Sequence, residues 1–520
     1  MNIKQKSLMK YFKSEPLRSV VFLCALVCLK LVFQAVLFSQ GFISVSADEF
    51  SRGIRAAEWA SQPNFNILAD VQDPWLPFEK YLNGSLLLLW PDVIWAPRFT
   101  VFIASCFVLI TFFILVYYLF NEFSVAALAG IFVVCQPWYT WLSGTPMLEM
   151  YYLACFLGGL AFLVMWLREF RRGYWFWAGC CFMLASGFHV QSWVYINLVN
   201  LITVAHLYQY MLQKRFGYVS RLIGFYILSN LLIITFSIID FLNTGHFFTF
   251  LIHHTVYSKW FYNGYNVSFI KKLFYYPNLT IHNSSPTIWV SLLVALFFLL
   301  HDQAPKWKLL PLTIAMLALI MNSVMNVVSV PATAAPARFS LFYVVMLSPY
   351  LAYGTYRLWI LRRRLSSGTM TYTTITMLSI GLFLYSILWG IVRIPNFPHG
   401  MSTDAIKTGY RINQMLTQNE SDNVASYMVE LKYWDFLAVQ LTAGHYAAVV
   451  YDREYNDTNR NKPSIFLKKM ETVCASLISH NVRYVALRDP NLKANARLIN
   501  CLHPIKEIGH WTIYEFYSGH

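Results

Sequence analysis

Charge is scarce in this chain. Only 12% of its 520 residues are Asp, Glu, Lys or Arg, 57% are hydrophobic, and the mean hydropathy is +0.46. Soluble domains carry about 25% charge, so the balance excludes an ordinary soluble enzyme and implies an integral membrane protein. Acidic residues are the rarer sign, 25 against 40 Lys and Arg, for a net charge of +15. The basic excess lies in short gaps between apolar runs. It therefore reads as topology, and no nucleic-acid partner is expected. Of the 9 cysteines, 7 fall inside apolar runs, where they are most simply small hydrophobes. No CxxC or HExxH pattern occurs, which removes the usual signs of a structural zinc site. There is no P-loop, no Gly-rich dinucleotide fingerprint, no internal repeat and no low-complexity tract.

What is present is a series of about eleven apolar segments near 20–40, 98–120, 124–142, 148–167, 174–191, 193–212, 222–241, 286–301, 309–330, 339–361 and 372–394. Most have about the 20 residues needed to cross a bilayer. Lys4, Lys6, Lys10, Lys13 and Arg18 precede the first. Alternate gaps hold Arg168, Arg171 and Arg172; Lys214, Arg215 and Arg221; Lys306 and Lys308; and Arg357, Arg362, Arg363 and Arg364. With an odd number of spans these all fall on one side, which the positive-inside rule makes cytoplasmic. The opposite, non-cytoplasmic side receives the loops 41–97 and 242–285 and the tail. A cleavage site after "Val45-Ser46-Ala47" is the alternative reading of the first segment, but that run is long for a signal peptide.

The expected fold class is a polytopic α-helical membrane protein of about 11 transmembrane helices with a small extracytoplasmic α/β C-terminal domain. Residues 1–395 form the membrane domain, including the first external loop 41–97, and 396–520 the soluble domain. In that loop "DEFSRGIRAAEWAS", with Asp48 as its N-cap, and "LPFEKYLNGSLLLLW" read as two short helices along the membrane surface. In the tail, "AIKTGYRINQMLTQN" and "PSIFLKKMETVCASLISH" read as helices. "YAAVVYD", "VRYVALRD" and "HWTIYEFY" read as strands, and "NLKANARLINC" as a further helix. Cys474 and Cys501 lie on either side of "VRYVALRD"; they form either a bridge or two separate buried thiols. Asn-x-Ser/Thr triplets occur at Asn83, Asn266, Asn278, Asn283, Asn419 and Asn456, at a frequency that polar loops produce by chance.

Short motifs in a fixed order carry a resemblance. "ADEF" follows the first span, "DPWLPFEKYLNG" and "WAPRF" precede the second, "SGTPMLEMYYLACF" opens the fourth, and "PARFSLFYVVMLSPYLAYG" opens a late one. In this layout, over most of residues 1–395, the chain resembles the lipid-linked-sugar glycosyltransferases of the C superfamily, nearest the protein O-mannosyltransferases and the lipid A aminoarabinose transferases. It departs from that pattern at "Asp73-Pro74-Trp75-Leu76-Pro77", where such proteins often carry a His-Pro-Pro stretch.

The resemblance implies an inverting glycosyltransferase that moves a sugar from a polyprenyl-phosphate donor to an acceptor hydroxyl on the non-cytoplasmic face, in a bacterial inner membrane. The acceptor is a lipid, a glycan or a protein. Asp48 and Glu49 become the catalytic candidates, because an acceptor hydroxyl needs a base. Glu149 and Arg338 become substrate-binding candidates, since Arg suits a departing phosphate; Lys271 and Lys272 join them as basic loop residues. No cofactor is assigned. A divalent metal is the one considered, and no ligand set is assigned to it.

Each residue has a plainer reading. Asp48 caps a helix, Glu49 pairs with Arg52 or Arg55, Glu149 marks a helix boundary, Arg338 anchors at the interface, and Lys259, Lys271 and Lys272 form a solvated loop face. Lys30, placed mid-span at a cost, calls for a partner inside the bundle. The alternative function is a transporter or flippase of lipid-linked sugar. That class favours inverted repeats and mid-membrane charges, whereas the acidic candidates here cluster at one face.

Overall fold

The structure is a computed structural model that describes residues 15–65, 76–171, 173–212, 216–249, 268–328, 337–365, 369–398, 400, 402–418, 425–453 and 462–517. Lys4, Lys6, Lys10, Lys13, Asp73, Pro74, Trp75, Arg172, Lys214, Arg215, Lys259, Asn266, Asn419 and Asn456 lie outside the described residues. The chain divides into two compact units. A helical unit comprises Met1–Gln40, Phe65–Glu79 and Val101–Phe397; a mixed unit comprises Gly41–Asn64, Lys80–Thr100 and Pro398–His520.

The helices in chain order begin with α1 (Glu15–Ser39), α2 (Asp48–Ser61), α3 (Pro77–Leu89), α4 (Trp95–Phe120), α5 (Phe123–Val134), α6 (Pro137–Leu142) and α7 (Leu148–Glu169). They continue with α8 (Tyr174–Phe188), α9 (Val190–Leu212), α10 (Phe216–Thr244), α11 (Phe269–Leu273), α12 (Tyr275–Asn283) and α13 (Thr287–His301). Then come α14 (Leu310–Val328), α15 (Ser340–Arg362), α16 (Met370–Arg393), α17 (Thr403–Gln418), α18 (Phe436–Ala443), α19 (Met470–Ser479) and α20 (Pro490–Arg497).

Over their described residues, all eleven apolar segments are largely helical. Among the described residues, seven helices are long and apolar enough to cross a membrane, and α12 with α13, bent by 100°, would make an eighth. The shortfall from eleven has physical causes. The third segment is broken between α5 and α6, where Gln136 is extended and Pro137 opens the next helix. Helix α8 has only 15 residues. Helix α15 is 23 residues long and buried along most of its length, including Tyr343, Ser348 and Tyr350. A helix sheathed by other helices need not match the hydropathy of lipid. Close packing there depends on Gly354: a Cβ would lie 2.2 Å from the carbonyl oxygen of Ser291 on α13. The chain is thus built as an integral, multi-pass membrane protein.

Three of the basic gaps meet at one end of the helical unit. Arg357 pairs with Asp302, Arg168 packs 5.4 Å from the Trp307 ring, and Arg168 donates to the Tyr118 carbonyl at 2.6 Å. Lys30 is buried mid-helix with its Nζ 3.8 Å from the Phe102 ring centroid, so the partner expected within the bundle is an aromatic face.

The mixed unit holds a five-stranded sheet of β1 (Ser426–Val429), β2 (Val449–Tyr451), β3 (Val482–Leu487), β4 (Leu502–Ile508) and β5 (Trp511–Phe516), ordered β2-β1-β3-β5-β4. β2, β1 and β3 are parallel, and β5 is antiparallel to both β3 and β4. The three segments read as strands from sequence contain β2, β3 and β5. β1 and β4 have no clear sequence signal, β1 because it is only four residues long and β4 because "LHPIKEI" is mostly exposed. The helix read over "PSIFLKKMETVCASLISH" is helical only over α19, with a 3-10 turn at Ile465–Leu467.

One sheet face packs Tyr427, Val429, Tyr484 and Ile513 against α2, α17 and α18; the other packs Met428, Val485 and Tyr514 against α19 and α20. Cys474 and Cys501 are joined by a disulfide with a Cα separation of 6.3 Å. The β4–β5 hairpin turns at Gly509, whose φ of +54° favours glycine. Asn83 is fully buried, which removes that triplet from the accessible set.

Candidate functional site

In the mixed unit the chain leaves Gly41, runs extended, and enters α2 at Asp48. The N-cap is Ala47 and makes no side-chain cap, so Asp48 is the first helical residue, contrary to the cap expected for it. Its amide donates to Ser46 Oγ at 3.2 Å. Glu49 does the work of satisfying the backbone there: its Oε1 accepts from the amides of Val45 at 2.9 Å and Ser46 at 3.1 Å. Glu49 is buried and Asp48 half-buried. Two carboxylates in the first turn also suit the positive end of the helix dipole.

Helix α2 reaches this place because it is amphipathic. Phe50 and Ile54 are buried with the apolar core of the unit, Ala57 packs in a smaller cluster with Leu87 and Ala96, and Gly53 lets Leu441 of α18 approach to 2.9 Å of where a Cβ would stand. Arg52 is buried as well. Arg98, in the first turn of α4, is buried, donates from Nη2 to the Ile43 carbonyl at 2.5 Å and feels the carboxylates of Glu49 and Asp92. Arg98 lies within "WAPRF", and its one sequence signal is a charge beside a span.

In the helical unit, Glu149 lies in the first turn of α7, and Arg338 lies in a 3-10 turn at Ala337–Phe339 that opens α15. The structure brings these two together. Arg338 Nε is 2.7 Å from Glu149 Oε1, with side-chain exposures of 7% and 3%. Such a pair needs good geometry to offset desolvation. Helices α7 and α15 carry Arg168 and Arg357 near their other ends. At 1.5 Å per residue the two groups are separated by about 30 Å, so the Glu149–Arg338 pair sits at the end of the helical unit opposite the basic cluster.

Around the pair are aromatic groups with polar tips. The His189 ring lies 5.2 Å from Tyr152 and 5.8 Å from Phe339. His189 Nδ1 accepts from the Gln191 amide at 2.9 Å, which makes Nδ1 the unprotonated nitrogen of the neutral ring. Asn322 of α14 donates to the Tyr195 hydroxyl at 3.3 Å and to the Tyr343 hydroxyl. His189 was one scattered histidine among 13, with nothing in the sequence to mark it.

Lys271 is exposed and Lys272 half-buried on α11, where the Lys272 carbonyl accepts from Asn326 Nδ2 at 2.6 Å. Glu79 and Lys80, in the first turn of α3, are both buried, and nothing in "LPFEKY" marks them as such in sequence.

No family model matches the chain, and no curated protein matches it. Solved structures do. ArnT from Cupriavidus metallidurans bound to undecaprenyl phosphate is similar over 94% of this chain and 98% of that one, with a TM-score of 0.59 at 11% identity. The same protein in the apo state gives 0.55 over 93% and 97%, also at 11%. The oligosaccharyltransferase of Archaeoglobus fulgidus in its apo form gives 0.55 over 92% of this chain and 70% of its own, at 9% identity. The chain therefore has the GT-C fold, that of the lipid-linked-sugar glycosyltransferases, as its motif order suggested.

One Archaeoglobus structure is a complex with zinc and sulfate. Among the described residues of this chain no group of three or more His, Cys, Asp or Glu is placed to hold a metal ion.

Proposed function

We propose that this protein is a membrane glycosyltransferase that moves a sugar from a polyprenyl-phosphate donor to an acceptor hydroxyl on the non-cytoplasmic face, with inversion. The observation that carries the reading is a fold shared over 94% of the chain with a structure that holds undecaprenyl phosphate. A second likeness, with a TM-score of 0.50, is to an archaeal oligosaccharyltransferase in complex with an inhibitory peptide and a dolichol-phosphate.

The orientation follows from the basic gaps. Their clustered end faces the cytoplasm, so the Glu149–Arg338 pair faces the other side. The Cys474–Cys501 disulfide supports the same side for the mixed unit, because bridges persist in oxidising compartments. The membrane is proposed to be a bacterial inner membrane. Residues 1–395 supply the glycosyltransferase domain and 396–520 the extracytoplasmic domain.

In the reaction, Asp48 takes the proton from the acceptor hydroxyl as that oxygen attacks the anomeric carbon. The bond from that carbon to the phosphate oxygen breaks with its electron pair, and polyprenyl phosphate leaves. Inversion follows from attack opposite the leaving group. Glu49, buried and bonded to two amides, holds the first turn of α2 in place for Asp48. Arg338 meets the donor phosphate, and Glu149 fixes the guanidinium that does so. Lys271 and Lys272 add positive charge for the anionic donor. The acceptor is a lipid, a glycan or a protein.

Lipid extracts test the reading. Cells that lose the protein should accumulate a polyprenyl-phosphate sugar that mass spectrometry detects. An unchanged lipid-linked sugar profile, with the acceptor glycans also unchanged, would contradict it.

A further inference from the structure

We propose that the mixed unit carries a binding site for a sugar ring of the acceptor, formed by Trp90, Asp92 and Tyr410; it rests on the transferase reading and adds to it where one substrate is held. A cavity of about 300 Å³ is lined by Trp90, Pro91, Asp92, Val93 and Tyr410. That is the low end of the range for small-molecule sites and accommodates one ring rather than a chain. Its aromatic walls stay open: Trp90 is 42% and Tyr410 41% exposed. Trp and Tyr present a flat apolar face and a polar tip, the combination that a pyranose, with its own apolar face and hydroxyl rim, complements.

Asp92 is held in place for this. Its Oδ1 accepts from the amides of Ile94 and Trp95, both at 2.9 Å, which fixes the carboxylate at the head of α4. Among the described residues no hydrogen bond reaches its Oδ2. That oxygen is an acceptor for ligand hydroxyls.

Charge selects against the other small headgroups. Among the described residues no Lys or Arg lines the cavity, so a phosphate would meet the Asp92 carboxylate. The buried Arg98 guanidinium acts on both Asp92 and Tyr410 and offsets part of the carboxylate's pull on a cation. A neutral, hydroxyl-rich ring is what remains. Burial and the Asp92 charge push the Tyr410 phenol up, which keeps its hydroxyl as a donor.

The site is also placed for transfer within its own unit. Arg98 feels both Glu49 and Asp92, so one guanidinium links the cavity to the first turn of α2. Leu88 and Leu89, at the end of α3 beside Trp90, are 54% and 84% exposed and offer an apolar rim for a lipid that bears the sugar.

The test uses the full-length protein in lipid nanodiscs and saturation-transfer NMR with methyl α-D-glucopyranoside, methyl α-D-mannopyranoside and methyl α-D-galactopyranoside. At least one should give transfer that falls about fivefold or more in Trp90→Ala and in Tyr410→Ala. Asp92→Asn should retain the fold and reduce transfer at the hydroxyl-bearing positions. Phosphocholine, run in parallel, should give none. Undecaprenyl phosphate binding, measured on the same samples, should be unchanged in all three variants and reports on the transferase reading separately. Sugar transfer equal in wild type and folded variants, no transfer from any of the three sugars, or transfer from phosphocholine alone would overturn the proposal.

Discussion

Removing Arg338 should leave a charge stranded in the bundle. Glu149 and Arg338 have residue exposures of only 2% and 6%, and their contact is 2.7 Å. Arg338→Met keeps a chain of similar length and deletes the partner of a buried carboxylate. Breaking such a pair from one side costs about 3–5 kcal/mol, which at about 2.1 cal/mol/K of unfolding entropy per residue over 520 residues lowers the apparent melting temperature by about 3–5 °C. The double variant Glu149→Gln/Arg338→Met, which removes both charges, should recover most of that loss. The assay is intrinsic-fluorescence melting of the protein in detergent, read as a double-mutant cycle. Undecaprenyl phosphate at about a hundredfold above its dissociation constant should stabilise the wild type by about 2.7 kcal/mol. It should shift Arg338→Met far less. A single variant as stable as wild type, with no coupling in the cycle, would refute the energetic reasoning. Equal stabilisation of both proteins by the lipid would refute the phosphate role.

Three further outcomes are expected. Glu49→Gln retains an oxygen for the Val45 and Ser46 amides and should melt near wild type, whereas Glu49→Ala strands two donors and should cost about 1–3 kcal/mol by the same melting assay. Opening the Cys474–Cys501 bridge, which spans 27 residues, with Cys501→Ser should destabilise the mixed unit by about 3.5 kcal/mol, read as faster limited proteolysis of residues in that unit. Glu430 is buried, and burial raises its carboxyl above the ordinary 4.5 even though its oxygen accepts the Arg488 and Asp489 amides. A raised folded value means its stabilising contribution is present below 4.5 and is lost as pH rises through the folded value, so Glu430→Gln should gain stability relative to wild type across that window. Parallel pH–melting curves for the two proteins would contradict this.

Much of this architecture was legible because membranes impose a strong rule: each apolar run must be a helix. The acidic pair, Glu149 and Arg338 were visible for a related reason, since charges at span ends stand out against apolar sequence. Other features were not legible. Nothing in the spacing of Glu149 and Arg338, 189 positions apart, announces that they touch. The capping assigned to Asp48 belonged to its neighbours, because a cap depends on backbone angles that Ala47 adopts and sequence does not display. β4 was missed because its alternation is hidden by exposure on both faces of an edge strand. Arg98, His189, Glu79 and Lys80 were missed because burial, rather than residue type, is what distinguishes them.

Asp48 is proposed as the base of a transfer from a polyprenyl-phosphate sugar. The direct measurement is release of polyprenyl phosphate from the donor that accumulates in cells lacking the protein, using purified protein, that donor and the matching acceptor in proteoliposomes. Asp48→Asn keeps the size of the side chain at the first residue of α2 and removes its basicity. Wild type should turn over, and folded Asp48→Asn should be slower by about 10²–10⁴-fold while binding the donor with unchanged affinity. Near-normal turnover by Asp48→Asn would contradict the account.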